Sequence, residues 1–266
     1  MHIALSKDPA STLFRHLDAD LILTAKVIAY QLQRQVSPQW GRKAPTVAYY
    51  PDQDNVPTGA YQIIFYDTSD VEGAAGYHDE DGLPYGKVFG DVSFDYGSTI
   101  MTGDFPVCRT ACHEAIELFC NPDVNLWVDK YDGTETPHEL CDAVEDDNLL
   151  VTVGSHVCPG SNFVLPSWFD SQAQPGSRFA FMPTIDAPFA MSENGYQTLR
   201  SYDDNSYTQI FGAKYAKHKK AMKMKEDSRA RSNLLRRGSR EMRKHIIVDP
   251  APKTPATPAP TSTPAT

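Results

Sequence analysis

What the sequence lacks narrows the field first. No run of 18 apolar residues occurs, so no transmembrane helix is expected. The opening MHIALSKDPA has no charged stretch followed by an apolar one. No secretory signal is therefore expected, and synthesis in a cytoplasm is. Cysteine is scarce and odd in number: Cys108, Cys112, Cys120, Cys141 and Cys158. An odd count argues against a complete disulfide framework and for reduced thiols. Cys108 and Cys112, at i,i+4, read as small buried hydrophobes rather than as thiolate ligands. No motif that reads nucleic-acid bases is present.

Charge is present but segregated. The chain carries 25 Lys/Arg and 34 Asp/Glu, a net −9. Residues 214–244 hold 13 Lys/Arg against three acids, a local +10, which leaves 12 basic and 31 acidic residues elsewhere, or −19. An acidic body with a basic arm signals a partner rather than a fold. The arm suits an acidic protein surface or non-specific contact with DNA phosphates, and a plain solvated helix also fits.

Hydrophobic patterning gives the elements. Residues 2–6, 46–50 and 61–66 read as strands, the last central because it is mostly apolar. A helix is expected from Asp18 or Asp20, as its cap, to about residue 35, with Leu21, Ala25, Ile28, Ala29 and Leu32 on one stripe. Residues 67–84 read as a long polar loop containing His78, and residues 87–94 as an edge strand with Gly90 and Asp91 inside it. Residues 123–138 read as a polar loop, and 149–153 as a strand. Segments 157–169 and 176–182 read as strand-like pieces of an irregular subdomain closed by aromatic residues. Residues 210–244 are rich in helix formers with too few apolar positions to bury. Residues 249–266, a Pro/Thr/Ala run, cannot form a core and read as a disordered tail.

One stretch carries chemistry. CRTACHEAIELFCNP, residues 108–122, holds His113, Glu114 and Glu117 in the order H-E-x-x-E. On a helix, His113 and Glu117 lie one turn apart on the same face, able to grip one ion, with Glu114 beside them as general base. The usual zinc-protease motif is H-E-x-x-H, so Glu117 stands where a second histidine is expected. An ordinary amphipathic helix with an exposed polar side also fits the stretch. Downstream, Glu139, Asp142, Glu145, Asp146 and Asp147 form an acidic run, which alone reads as a solvated loop. One imidazole with two carboxylates suits zinc first, with manganese, iron or calcium as harder alternatives.

The order strand, long helix, three strands, motif helix resembles the N-terminal half of zincin metallopeptidases. The pieces Trp40-Gly41, Ala75-Gly-Tyr-His78, Cys112-His-Glu-Ala-Ile-Glu117, Asn121-Pro122, Glu139-Leu-Cys-Asp142, the segment 161–169 and Gly195-Tyr196 resemble a group of phage and bacterial proteins with a zincin-like H-E-x-x-E domain. The resemblance spans roughly residues 25–200. It implies an α+β fold with a mixed twisted sheet, a long packing helix, an H-E-x-x-E helix and an edge strand along a substrate cleft. It implies a third ligand from the acidic run: Asp142 or Glu145, then Glu139. It implies a zinc site acting on a peptide. The extra anionic ligand lowers the net charge on the ion, so slow hydrolysis or none is expected, and His78 reads either as orienting substrate or stabilising an oxyanion, or as a plain hydrogen-bonding loop residue. It also implies a virion setting, with other virion proteins as partners of the basic arm. A purely structural capsid or tail component is the other reading. The expected organisation is a zincin-like half (1–122), a C-terminal subdomain with the acidic ligand loop (123–206), a basic helical extension (207–248) and the tail (249–266).

Overall fold

Alternating apolar residues build the first sheet. Its strands are β1 (His2–Lys7), β2 (Thr46–Tyr50), β3 (Tyr61–Tyr66), β4 (Gly76–Asp81) and β5 (Leu83–Phe89), in the order β2-β1-β3-β5-β4. β1, β2, β3 and β5 run parallel, and β4 closes the edge antiparallel to β5. Successive side chains point to opposite faces, so Ile3, Leu5, Ile63, Phe65 and Val88 all enter one large core. The computed structural model describes residues 1–71, 74–215 and 246–248.

Helix α1 (Asp18–Gln31) continues through a π-helical turn, Leu32–Val36, into α2 (Ser37–Trp40), where Gly41 at φ +60° ends it. Leu21, Ala25, Ile28 and Leu32 are the buried stripe. The expected side-chain cap is not made. Asp18 is the first residue of α1, and its carboxylate accepts from Lys7 Nζ (2.6 Å) and the Tyr49 hydroxyl instead. After β5 the chain turns at once into α3 (Gly90–Phe94), so Gly90 and Asp91 belong to a helix and not to an edge strand. Then comes α4 (Val107–Cys120), the motif helix. It packs against β4, β5 and α1.

The expected polar loop after α4 instead holds β6 (Trp127–Asp129) and β7 (Thr134–Pro137). A hairpin, β8 (Asn148–Val153) and β9 (His156–Ser161), packs on α4. Buried Gln31 ties α1 to it, donating from Nε2 to Ser161 O (2.9 Å) and accepting the Ser161 N–H (3.0 Å). Residues 166–169 form a 3-10 turn, and 176–182 contribute only the bridge Val164–Ala180. Strands β10 (Tyr196–Ser201), β11 (Tyr207–Phe211) and β12 (Ile246–Val248) complete a second sheet, β12-β11-β10-β7-β6. Residues 207–211 are thus a strand, not the start of a basic helix. Most of that expected helix (216–245) and all of the expected tail lie outside the described residues.

The fold is α+β. One core joins both halves of the sequence: Leu140, Val144, Phe163, Trp168 and Phe179 belong to the same cluster as Phe14, Ile28, Leu32 and Ile116. Each large apolar side chain buried here contributes about 1.5–3 kcal/mol. Among the described residues no helix is long and apolar enough to cross a membrane. All five cysteines are free and buried.

Candidate metal centre

Helix α4 has no solvated polar side. Every residue in it except Thr110 is buried, His113, Glu114 and Glu117 included, at 7%, 4% and 3% exposure. That overturns the reading of an ordinary amphipathic helix. Buried ionisable groups need partners, because desolvation costs several kcal/mol per charge.

The helical spacing does what the sequence predicts for the motif pair. His113 Nε2 lies 3.2 Å from Glu117 Oε2, one turn on. The same nitrogen lies 3.4 Å from Asp142 Oδ1. A tetrahedral site with bonds of ~2.0–2.2 Å sets its ligand atoms roughly 3.3–3.6 Å apart; the Asp142 separation falls in that range and the Glu117 separation just below it. Glu117 Oε1 meanwhile accepts the backbone N–H of Cys141 (2.9 Å), which pins the acidic run against α4.

The acidic run is not a solvated loop. Its 3-10 turn, Asp142–Val144, is locked by Ser192 N–H to Ala143 O (2.9 Å). Gly195 permits this approach: a Cβ there would lie 2.1 Å from Ala143 O. Glu139, Asp142 and Glu145 turn to the centre. Asp146 pairs with Arg109 (3.2 Å), and Asp147 accepts from Asn162 and Asn194 (3.1 Å each) and from Thr184. Those two acids are structural.

His78 is the main correction. It lies on edge strand β4, not in a loop. Its neighbour Tyr77 joins a small cluster with Val71 and Phe89, so alternation sends His78 to the other face, toward α4. His78 Nδ1 is 3.7 Å from Glu114 Oε2 and 3.6 Å from Glu117 Oε2, and Nε2 is 3.5 Å from Glu139 Oε2. Two glycines make this possible. A Cβ on Gly76 would meet Glu114 Oε1 at 2.7 Å, and one on Gly86, opposite His78, would meet Ile63 Cδ1 at 2.6 Å.

Three overlapping donor sets result, each with ligand atoms within 4.8 Å of one another: His113, Glu117 and Cys141; His78, Glu114 and Glu117; His113, Asp142 and Glu145. Every expected site residue except Glu139 falls in one of them, and Glu139 abuts His78. Burial pushes Glu114, Glu139 and Glu145 up, Glu114 and Glu139 well above the carboxylate range and Glu145 to about 8, and neighbouring acids add to the rise. Burial also raises Glu117. The side chain that pulls all four back down is His113. Burial lowers its own basicity, but Glu117 and Glu145 reverse this and hold it well above the usual imidazole range. Glu139 Oε2 is buried without a hydrogen-bond partner. Such an atom, among two imidazoles and five carboxyls, fits a cation.

Sequence reasoning misses three kinds of contributor. Cys141 reads as one more inert thiol, although it sits inside the acidic run. Asn121 reads as a helix stop, yet it is buried and its Nδ2 lies 3.4 Å from Glu139 Oε1. Tyr196 and Tyr215, ring centroids 5.4 Å apart, lie beside Asp142 and Glu145; burial first, then those acids, push both phenols well up. Only the Gly195-Tyr196 pair carries any signal for this. Compared with known proteins, the chain matches no family model, no curated protein and no solved structure.

Proposed function

We propose that this chain is a zincin-like metal-binding protein, a weak or vestigial zinc peptidase. His113, Glu117 and Asp142 would hold the ion, with Glu145 at hand and Glu114 as general base. The observation that carries the reading is the convergence of Glu117 and Asp142 on one nitrogen of His113, at 3.2 and 3.4 Å. Strand order adds support, since α4 lies under a sheet whose antiparallel edge strand borders the motif, as the zincin resemblance implies. Zinc is the first choice for a set that also offers the Cys141 thiol; manganese or calcium would suit its carboxylates. Bound zinc would polarise a carbonyl and lower the pKa of its water. Glu114, whose Oε2 lies 3.7 Å from His78 Nδ1, would take the proton, and His78 would hold that carboxylate in position. The carboxylate in place of a second imidazole would lower the net charge of the loaded site and slow turnover. The phage virion setting, with other virion proteins or DNA as partners of the basic arm, rests on the resemblance alone.

Stoichiometric metal after chelation and reloading is the test. Elemental analysis should find zinc in the wild type and little in His113→Ala. A chain that holds no metal, and melts alike with and without zinc, ends this reading.

One observation favours a purely structural capsid or tail component: every ligand candidate on α4 is more than nine-tenths buried, which suits an ion that braces the fold. Metal that raises stability without hydrolysis of any peptide in a mixed library would select this reading. The docking role of the basic arm is tested by deleting residues 216–266, which removes edge strand β12 and leaves β11 and β10 in place. Lost particle incorporation with normal folding would support it.

A further inference from the structure

We propose that the centre takes two divalent cations rather than one: the first at His113, Asp142 and Glu145, the second at His78, Glu114 and Glu117, with Glu117 shared between them. This rests on the single-ion reading, because Glu117 belongs to both positions. It moves Glu114 from the role of base into the ligand set.

Geometry is the first argument. The two donor sets hang on different histidines from different elements, β4 and α4. Glu117 Oε2 lies 3.6 Å from His78 Nδ1 and 3.2 Å from His113 Nε2. One carboxylate oxygen beside two imidazole nitrogens is the disposition of a bridging ligand. Two-metal hydrolytic sites use such bridges to hold their ions side by side.

The surroundings of His78 are the second. Ligating histidines commonly present the other ring nitrogen to a carboxylate, which fixes the ring. His78 Nε2 faces Glu139 Oε2 at 3.5 Å. That oxygen is buried without a hydrogen-bond partner, while its twin, Oε1, lies 3.4 Å from Asn121 Nδ2. Glu139 is thereby held by Asn121 through one oxygen and aimed at His78 with the other. Gly76 and Gly86 keep the space between β4 and α4 clear.

Charge is the third. Glu114, Glu117, Glu139, Asp142 and Glu145 are five carboxyls in one region that is almost closed to solvent. Ionised, they would leave three negative charges unmatched by one dication and one unmatched by two. The donors of each position, one imidazole with carboxylates, suit first-row divalent ions such as zinc and manganese.

The experiment loads chelator-treated full-length protein with Mn2+ and, separately, with Zn2+, counts bound ions after desalting, and records the manganese EPR spectrum. Two ions per chain and a spin-coupled manganese signal are expected. Glu114→Gln and His78→Gln should each reduce the count to one and leave an uncoupled signal. Glu139→Gln should weaken the second ion alone, by about 10–100-fold. Circular dichroism in chelator checks folding, and near-isosteric Glu114→Gln carries the test if His78→Gln fails to fold. A single ion in the wild type, with the count unchanged in Glu114→Gln, overturns this proposal and leaves the single-ion reading standing. Two uncoupled ions indifferent to both variants also overturn it. No ion at all removes both.

Discussion

His78 Nδ1 stands 3.6 Å from Glu117 Oε2, although one residue lies on an edge strand and the other on the helix beneath it. The contact exists because β5 follows β4 antiparallel and places Gly86 opposite His78. With no side chain at Gly86, the imidazole reaches α4. Glu117 also binds the Cys141 amide, so one carboxylate joins the sheet, the helix and the acidic run.

Glu117→Gln separates metal binding from folding. Glutamine keeps an oxygen for the Cys141 amide but loses the charge. In the metal-free protein, relief from like-charged neighbours opposes loss of the His113 pair, so the metal-induced shift and not the baseline carries the test. Zinc at 100 times Kd stabilises a site by about 2.7 kcal/mol, or roughly 5–10 °C in a domain of this size. The wild type should show that shift in a thermal melt, and the variant should not.

Gly76→Ala tests the close packing of β4 on α4. The added Cβ would lie 2.7 Å from Glu114 Oε1 and 2.9 Å from both Lys87 O and Thr110 Cγ2. A backbone carbonyl cannot swing aside, so overpacking should cost about 1–3 kcal/mol. Urea denaturation reads it. An unchanged midpoint would show that β4 does not sit where the structure has it.

Glu145 makes the metal-free protein weaker at high pH. Its folded pKa, about 8, lies above that of an unfolded glutamate, so the folded chain binds the extra proton. Its own contribution to stability is therefore full below about 4.5 and is lost as pH rises through 8. Between pH 6.5 and 8 the loss should be on the order of 1–2 kcal/mol, measured by denaturation in chelator. Glu145→Gln should flatten the slope, and bound metal should do the same by replacing the proton.

His138 acts in the opposite sense. Burial, helped by Arg42, lowers its pKa to about 4. Its stabilising share is present above the ordinary imidazole pKa of ~6.5 and is lost as pH falls toward 4. His138 stacks on Phe169 (4.7 Å, 19°) and meets Trp40 edge-on (5.1 Å, 81°), contacts a phenyl ring can keep. His138→Phe should therefore gain about 2 kcal/mol relative to wild type at pH 5 compared with pH 7.5. Equal stability differences at both pH values would contradict the neutral buried imidazole.

Short-range facts follow from the residues alone. Strands β2 and β3 are legible residue for residue, because bounded runs of β-branched and aromatic residues admit few other structures. The His113–Glu117 pairing is legible because helix pitch alone sets that distance. Asp142 and Glu145 are legible as acids, and only the zincin resemblance, not their spacing, brings them to His113. Long-range placement settles the rest. Whether α4 has a wet side depends on β4, β5, α1 and the β8–β9 hairpin all closing on it, which no spacing encodes. The inward turn of His78 depends on the register of a hairpin hidden in a stretch that reads as loop. The separation of Asp146 and Asp147 from the other acids depends on Arg109, Asn162, Thr184 and Asn194, brought up by distant segments. Periodicity reports what a segment can bury; only the packed chain determines what it is buried against.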